Sequence, residues 1–403
     1  MPQKYLSDIV HVLDAINQDL QTADYNDVPP GIISGVAGHI LFLYEYYQFA
    51  KKPEVELAVQ QRFSWLEEQI EDLQDNSTFS YGLPGIGWLY EYLLSHQASI
   101  DPDSAYDGTV NNSTDIWLQT HILNEPWQTE IEFIQGIAGL APYIARRAKY
   151  QPNHILIEKF LQQVELLSES TLEGLKWPTP EGSPYILLNG KQESEVNLGL
   201  AHGMPAILAA LLSLAGVSSY SDRIKPLLDQ GINWLYKQQQ PIEVGSYYGY
   251  AVGENECSRL GWCYGDLPLA LIFARAGRLL NNEKWLNFGK DIALHTSKRR
   301  DNKAGIRDAG LCHGSVGLAL IFKLINEFYH LEELKSAQEY WLQDALQRFE
   351  KNGVEGLKPF REPGSEAEKL PTQDFLGGTS GVGLGLLALI SNRQDWADAL
   401  LLA

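Results

Sequence analysis

The sequence predicts an all-α protein, an α/α toroid of seven inner and seven outer helices. Two observations support this prediction. A Gly-rich turn followed by a strongly apolar segment occurs seven times in the 403 residues, and amphipathic segments lie between the apolar ones. A long internal repeat indicates one supersecondary unit per copy, and closing the units into a ring removes the exposed terminal units. We therefore expect one toroid domain over residues 1–403.

The inner helices are predicted from the seven apolar segments. Their turns begin 47 to 67 residues apart, at Gly35, Gly82, Gly136, Gly203, Gly265, Gly314 and Gly378. A helix that is apolar on nearly every face is buried on all sides. We therefore assign these segments to the inner ring, where glycine at the start of each helix lets neighbouring backbones approach closely.

The outer helices are predicted from amphipathic periodicity between the turns. Residues 55–73 and 334–349 place apolar side chains at steps of three and four, which is typical of helices with one buried face. Similar patterns cover residues 3–22, 154–170 and 223–239.

Three segments interrupt the helical pattern: residues 98–125, 176–198 and 240–262. The first is polar, with Pro, Asp and Asn, and the other two have the character of long loops or short hairpins. They fall near the Gly-rich ends of the inner helices, so we expect them to line a site at that end.

The charge of the chain excludes some classes of partner. Lys and Arg number 31 against 51 Asp and Glu, which gives a net charge of −20. Such a chain repels nucleic acid and anionic membrane surfaces. A cationic or neutral peptide fits better, although solubility alone also explains the charge.

Cysteine usage indicates the cytoplasm. The three cysteines are too few for a disulfide framework, so a reducing compartment is expected. Residues 1–14 lack the apolar core of a signal peptide. The longest apolar stretch, residues 203–217, is shorter than the ~20 residues that span a bilayer, so no transmembrane segment is expected.

A metal site is predicted from the register of the repeat. Cys263 lies in the fifth Gly-rich turn, and Cys312 and His313 lie in the sixth. Neighbouring repeats would bring two thiolates and an imidazole together, a three-ligand zinc set with an open fourth position. The alternative is two buried thiols and a hydrogen-bonded core histidine, but the shared register favours one Zn²⁺ per chain. A substrate thiol would suit the open position, because a metal lowers the pKa of a thiol.

Three more residues are candidates for catalysis. His202 occupies the equivalent place in the fourth turn, and a histidine there suits proton transfer. Arg259 and Tyr264 flank Cys263. The arginine could stabilise a developing oxyanion, although both residues could equally make packing contacts. Cys257 lies outside the turns, and we interpret it as an ordinary thiol.

The chain resembles the lanthionine synthetase C-like family. The resemblance rests on Leu200-Ala-His-Gly, Trp262-Cys-Tyr-Gly and Leu311-Cys-His-Gly, in this order ahead of Gly378-Thr-Ser-Gly. It implies an α/α toroid and a zinc-dependent lanthipeptide cyclase. In such an enzyme, precursor Cys thiolates add to dehydroalanine or dehydrobutyrine, and the resulting enolate is protonated at Cα.

The resemblance also implies roles for individual residues. Cys263, Cys312 and His313 match the zinc ligands, His202 the acid/base histidine, Arg259 an active-site arginine and Tyr264 the tyrosine after the first cysteine. Glu132 stands where the family usually has Asp, which leaves open whether the longer carboxylate orients His202. The implied partners are a dehydrated precursor peptide, a separate dehydratase and an export transporter.

Other functions remain open at the level of sequence. A protein of this family could add glutathione or another thiol to dehydroamino acids, or bind peptides without catalysis. A toroid glycosidase would need paired carboxylates, which the repeat turns do not show. A zinc prenyltransferase would have no use for the Leu-Ala-His-Gly element.

Overall fold

The regular secondary structure in the described part of the chain is mostly helical. The computed structural model describes residues 5–73, 76–100, 106–150, 154–189, 192–300, 304–364, 371–391 and 393–403. Within these ranges lie fourteen α-helices: α1 Leu6–Thr22, α2 Val36–Ala50, α3 Pro53–Gln69, α4 Leu83–Ile100, α5 Asn112–Trp117, α6 Ala141–Tyr150, α7 His154–Leu166, α8 Pro205–Leu214, α9 Ser221–Lys237, α10 Asp266–Leu279, α11 Glu283–Thr296, α12 Ser315–Tyr329, α13 Glu332–Asn352 and α14 Thr379–Ile390.

The even-numbered helices form a closed inner ring. Each even-numbered helix contacts the next even-numbered helix along the chain, and α14 closes the ring by contacting α2. In α8 and α14 nearly every side chain is buried, as expected for helices without a polar face. The odd-numbered helices are amphipathic and lie outside, and α9 buries only one face. The predicted α/α toroid of seven inner and seven outer helices is confirmed.

Backbone hydrogen bonds join the Gly-rich turns into a second, smaller ring. Six of the seven pairs of adjacent turns are joined by an N–H group that donates to a carbonyl of the neighbouring turn, which holds these turns side by side in the described part of the chain. The bonds run from Phe133 to Ala201 (3.2 Å), Ala201 to Cys263 (3.1 Å), Cys263 to Cys312 (3.3 Å), Cys312 to Leu376 (2.9 Å), Phe375 to Ile33 (3.1 Å) and Ile33 to Ser80 (3.1 Å). The rings of Phe79 and Phe133 pack 5.7 Å apart between the second and third turns.

The interrupting segments differ in part from their predicted form. Residues 98–125 were expected to interrupt the helical pattern, yet they contain α5 and a π-helical turn, Leu118–Ile122. Helix α7 ends at Leu166, before the predicted end of its amphipathic pattern. A hairpin of β1 Glu169–Thr171 and β2 Gly174–Lys176 follows it.

The segment 176–198 contains the second hairpin, β3 Leu187–Asn189 with β4 Gln192–Ser194. This agrees with the expected loop or hairpin. Among the described residues, no helix combines the length and apolar character that a membrane crossing requires.

Candidate active site

Cys263, Cys312 and His313 lie together at the Gly-rich end of the inner ring. Their candidate ligand atoms are all within 4.8 Å of one another. Nδ1 of His313 is 3.8 Å from Sγ of Cys263. Zinc–sulfur bonds of ~2.3 Å and zinc–nitrogen bonds of ~2.0 Å in tetrahedral geometry separate S and N by about 3.5 Å. The three side chains therefore fit a zinc ion with little adjustment.

The turns that carry these ligands are held by backbone geometry. Gly265 has φ = 91°, a conformation that L side chains rarely adopt, and a Cβ there would lie 2.0 Å from the Arg259 carbonyl oxygen. A Cβ on Gly317 would lie 2.1 Å from the carbonyl oxygen of Leu311. These two glycines let the loop before each inner helix fold back tightly, so that its cysteine faces the neighbouring turn.

A carboxylate stands behind the candidate metal ligand His313. Oδ2 of Asp308 is 4.0 Å from Nε2 of His313, on the side of the ring away from Cys263. Asp308 is buried and accepts backbone N–H groups of Gly310 and Phe360, both at 3.0 Å. At this distance the carboxylate acts on the imidazole through its charge rather than through a hydrogen bond, and it favours a proton on Nε2 and a free Nδ1 for a metal.

The contact between the two cysteines favours a thiolate at Cys263 and a neutral thiol at Cys312. Hydrogen bonding from Cys312 holds the pKa of Cys263 well below its usual range, with smaller contributions from His313 and Arg259, although burial opposes the shift. The same contact with Cys263 raises the pKa of Cys312. Without a metal the pair therefore favours a single negative charge. A divalent cation would compensate the second charge.

Arg259 contacts the metal-ligand cluster directly. Its Nη2 atom lies 3.3 Å from Sγ of Cys263. Its backbone N–H donates to the hydroxyl of Tyr250 at 3.0 Å, in the segment 240–262 that was expected to line the site. The guanidinium thus supports a thiolate at Cys263.

His202 is paired with Glu132 across two neighbouring turns. Nδ1 of His202 lies 3.1 Å from Oε2 of Glu132. Glu132 is buried, and it also accepts the N–H groups of Ile134, at 2.8 Å, and Gln135. The carboxylate is therefore fixed by its own turn, and His202, whose side chain is 25% exposed, keeps Nε2 for other partners.

Two tyrosines border the imidazole of His202. The ring of Tyr185 stacks on it, with centroids 4.1 Å apart and planes 14° apart. The ring of Tyr264 lies 6.1 Å away. Buried Asn197 connects both, donating to the Tyr185 carbonyl at 2.9 Å and to the Tyr264 hydroxyl at 3.0 Å. Burial raises the pKa of Tyr264 to about 12, so its hydroxyl stays neutral.

The candidate residues named from sequence lie on four neighbouring turns, the third to the sixth. Cys257 is exposed, and its Sγ lies near the carbonyl of Ser258 at 3.8 Å. Sequence reasoning did not find Tyr185, Asn197 or Asp308. Asp308 lies six residues before the turn glycine Gly314, and Asn197 lies six residues before Gly203. This shared position in the repeat could have identified both residues. Tyr185 had only its position in a segment expected to line the site.

A known protein family matches most of the chain. The model of a family described as "Lanthionine synthetase C-like protein" matches residues 26–401. The nisin biosynthesis protein NisC of Lactococcus lactis subsp. lactis is 24% identical over 261 residues, which cover 58% of this chain. The match spans only 58% of the length of that relative.

The solved structure of a nisin cyclase has the same fold. Nisin cyclase superposes with a TM-score of 0.71 at 18% identity, covering 99% of this chain and 98% of its own. A cellobiose 2-epimerase from Bacillus thermoamylovorans B4167 gives a TM-score of 0.46 at 12% identity, covering 96% of this chain and 98% of its own.

Proposed function

Because the chain belongs to the lanthionine synthetase C-like family, we propose that it is a zinc-dependent lanthipeptide cyclase. Its substrate would be a dehydrated precursor peptide, and residues 1–403 would act as one catalytic domain. The observation that carries the proposal is the three-ligand cluster of Cys263, Cys312 and His313 on the turns next to the His202–Glu132 pair. Similarity to the nisin biosynthesis protein NisC and to nisin cyclase supports the same activity.

The three-ligand cluster would hold one Zn²⁺ per chain. Two sulfurs and one nitrogen leave a fourth position for substrate, as in catalytic rather than structural zinc sites. When bound, the ion lowers the pKa of a precursor Cys thiol so that the thiolate forms near neutral pH. Arg259 contributes a positive charge beside Cys263, and the negative charge of Asp308 lies 4.0 Å from Nε2 of His313.

His202 would move the proton of the reaction. The precursor thiolate adds to the β-carbon of dehydroalanine or dehydrobutyrine, forming the S–C bond and sending the π electrons to the carbonyl oxygen. Cα of this enolate then takes one proton, so the peptide mass is unchanged. Glu132 holds Nδ1 of His202, which leaves Nε2 to exchange that proton with the substrate.

The neighbouring aromatic residues would position the reacting groups. Tyr185 limits the rotation of His202 by stacking on one face. Tyr264, neutral and held by Asn197, can donate a hydrogen bond toward the substrate carbonyl. We also propose cytoplasmic residence, in keeping with its free cysteines, and a separate dehydratase and an export transporter as partners.

The deciding experiment is ring closure on a dehydrated precursor. Zinc-loaded protein should convert alkylatable precursor thiols to thioethers without a change of mass, and removing the metal should abolish the conversion. Cys312→Ala should lose both zinc and activity, whereas Cys257→Ser, outside the cluster, should keep both. If every tested precursor stays fully alkylatable, the cyclase proposal is wrong. A product heavier by one glutathione, formed when glutathione is present, would identify an intermolecular thiol transferase instead.

A further inference from the structure

A cavity of about 430 Å³ adjoins the candidate metal site on its outer side. Its wall includes Arg259 and the candidate metal ligand His313, so the cavity directly borders the metal site. Two more arginines, Arg307 and Arg361, line it together with the aromatic ring of Phe360. Three guanidinium groups thus surround one small cavity in a chain whose net charge is −20.

Two carboxylates, those of Asp308 and Glu362, also line the cavity, and they differ in burial and in partners. Asp308 is buried, faces His313 and already accepts two backbone N–H groups. Glu362 pairs with Arg307 at 2.5 Å, but both side chains are about two-thirds exposed, at 67% and 60%. An ion pair this exposed contributes little to stability. Arg307 can therefore exchange this partner for another carboxylate at small cost.

The arginines are preorganised for an anionic group. The guanidinium of Arg307 lies over the ring of Phe360, 4.6 Å from its centroid, which holds its plane in place. Arg361 donates to the carbonyl of Pro371, which fixes the second guanidinium. Planar guanidinium groups recognise carboxylates with paired hydrogen bonds, in a way that lysine does not.

We propose that this cavity is a carboxylate-binding subsite, which binds the side chain of an acidic residue directly next to the reacting Cys of the precursor peptide. Adjacent Cα atoms are ~3.8 Å apart, so the side chain beside a Cys at the metal can extend past Arg259 into the cavity. The inference rests on the proposed function, and it adds a preference for certain ring positions. An acidic residue next to one Cys of the precursor would favour binding of that Cys at the metal. Elsewhere the negative charge of the protein repels acidic side chains.

The test compares short Cys peptides that differ by one neutral substitution. Peptides with Glu or Gln directly before or after Cys, without dehydrated residues, are titrated calorimetrically into zinc-loaded protein. We expect a Glu peptide to bind about tenfold more tightly than its Gln counterpart, equivalent to ~1.4 kcal/mol. The preference should shrink as salt concentration rises, because the subsite is open to solvent.

The variants separate the subsite from the metal site. Arg307→Gln and Arg361→Gln should each reduce the preference for Glu while leaving the affinity for the Gln peptides unchanged. Arg278→Gln is the matched control. Arg278 also lies over an aromatic ring, that of Phe328 at 3.9 Å, but it sits near the C-terminal end of α10, away from the turns. It should keep the full preference.

The possible failures are distinguishable. If Glu and Gln peptides bind wild-type protein equally, or if both arginine variants retain the preference, the subsite is wrong and the cyclase proposal stands. If no Cys peptide binds the zinc-loaded protein, the subsite is wrong, and ring closure on a dehydrated precursor decides the cyclase proposal separately.

Discussion

Oε2 of Glu132 lies 3.1 Å from Nδ1 of His202, although the two residues are 70 positions apart in the sequence. Glutamate in place of the usual family aspartate therefore still reaches the histidine. The contact is possible because the same carboxylate caps the turn that carries it, accepting the N–H groups of Ile134 and Gln135. The longer side chain thus combines a local structural bond with a contact across the site.

Removing the charge of Glu132 should slow catalysis without loss of metal. Glu132→Gln can no longer stabilise a protonated His202, and we expect kcat to fall about 10- to 100-fold, as for other partners that orient a catalytic or ligand histidine. Zinc content should stay at the wild-type value. Glu130→Gln, which removes a nearby carboxylate bound to Ser183, is the control and should leave kcat nearly unchanged. Equal rates for both variants would exclude an orienting role for Glu132.

The stacked ring of Tyr185 should matter more than its hydroxyl. Tyr185→Phe keeps the ring that lies 4.1 Å from His202, so its ring-closure rate should match wild type. Tyr185→Leu removes the flat surface and lets the imidazole rotate, and we expect kcat to drop about tenfold because positioning of a catalytic group is lost. Steady-state kinetics on one precursor compares the two. A loss in Tyr185→Phe as large as in Tyr185→Leu would instead assign the role to the hydroxyl.

Asp308 should tune metal affinity through His313. Asp308→Asn removes the charge 4.0 Å from Nε2 of His313, and partners of ligand histidines typically change metal affinity by about 10- to 100-fold. Competition with a chromogenic chelator measures the affinity. Asp374→Asn is the control, because Asp374 is a buried carboxylate that accepts the N–H of Gly377 on the seventh turn. The role of Asp308 is refuted if both variants hold zinc as tightly as wild type.

Buried His39 should make the fold sensitive to acid. Burial, assisted by the charge of Arg62, lowers its pKa from 6.5 to about 3. Below pH 6.5 the unfolded chain therefore binds a proton that the folded chain does not, and stability falls as pH decreases toward 3. At pH 5 this amounts to about 2 kcal/mol.

The effect of His39 can be isolated with a residue of similar volume that does not titrate. Between pH 7.5 and pH 5.0, the Tm of wild-type protein should fall further than the Tm of His39→Leu. Both ring nitrogens of His39 lack a hydrogen-bond partner among the described residues, so the variant removes no polar contact seen in the structure. Parallel decreases in Tm would show that other groups control acid sensitivity.

The sequence by itself determined the ring and brought together the three candidate metal ligands. Seven Gly-rich turns before apolar segments predicted the inner helices, because burial on all sides requires apolar side chains at every position. The shared register of Cys263 and Cys312 predicted that they face each other, since equivalent positions in adjacent repeats lie side by side. The repeat therefore indicates which turns are neighbours in space, in addition to the type of each element.

Only the tertiary structure decided which other side chains meet at the site. The reach of Glu132 to His202 depends on the conformation of a turn, and the stack of Tyr185 on His202 depends on a segment outside the repeat. Asp308 and Arg307 precede His313 in one loop, whereas Arg259 and Arg361 reach the same cavity from the loops before and after it. Repeat register fixes which turns are neighbours, but side-chain rotamers and loop packing fix the contacts, and these depend on residues far apart in the chain.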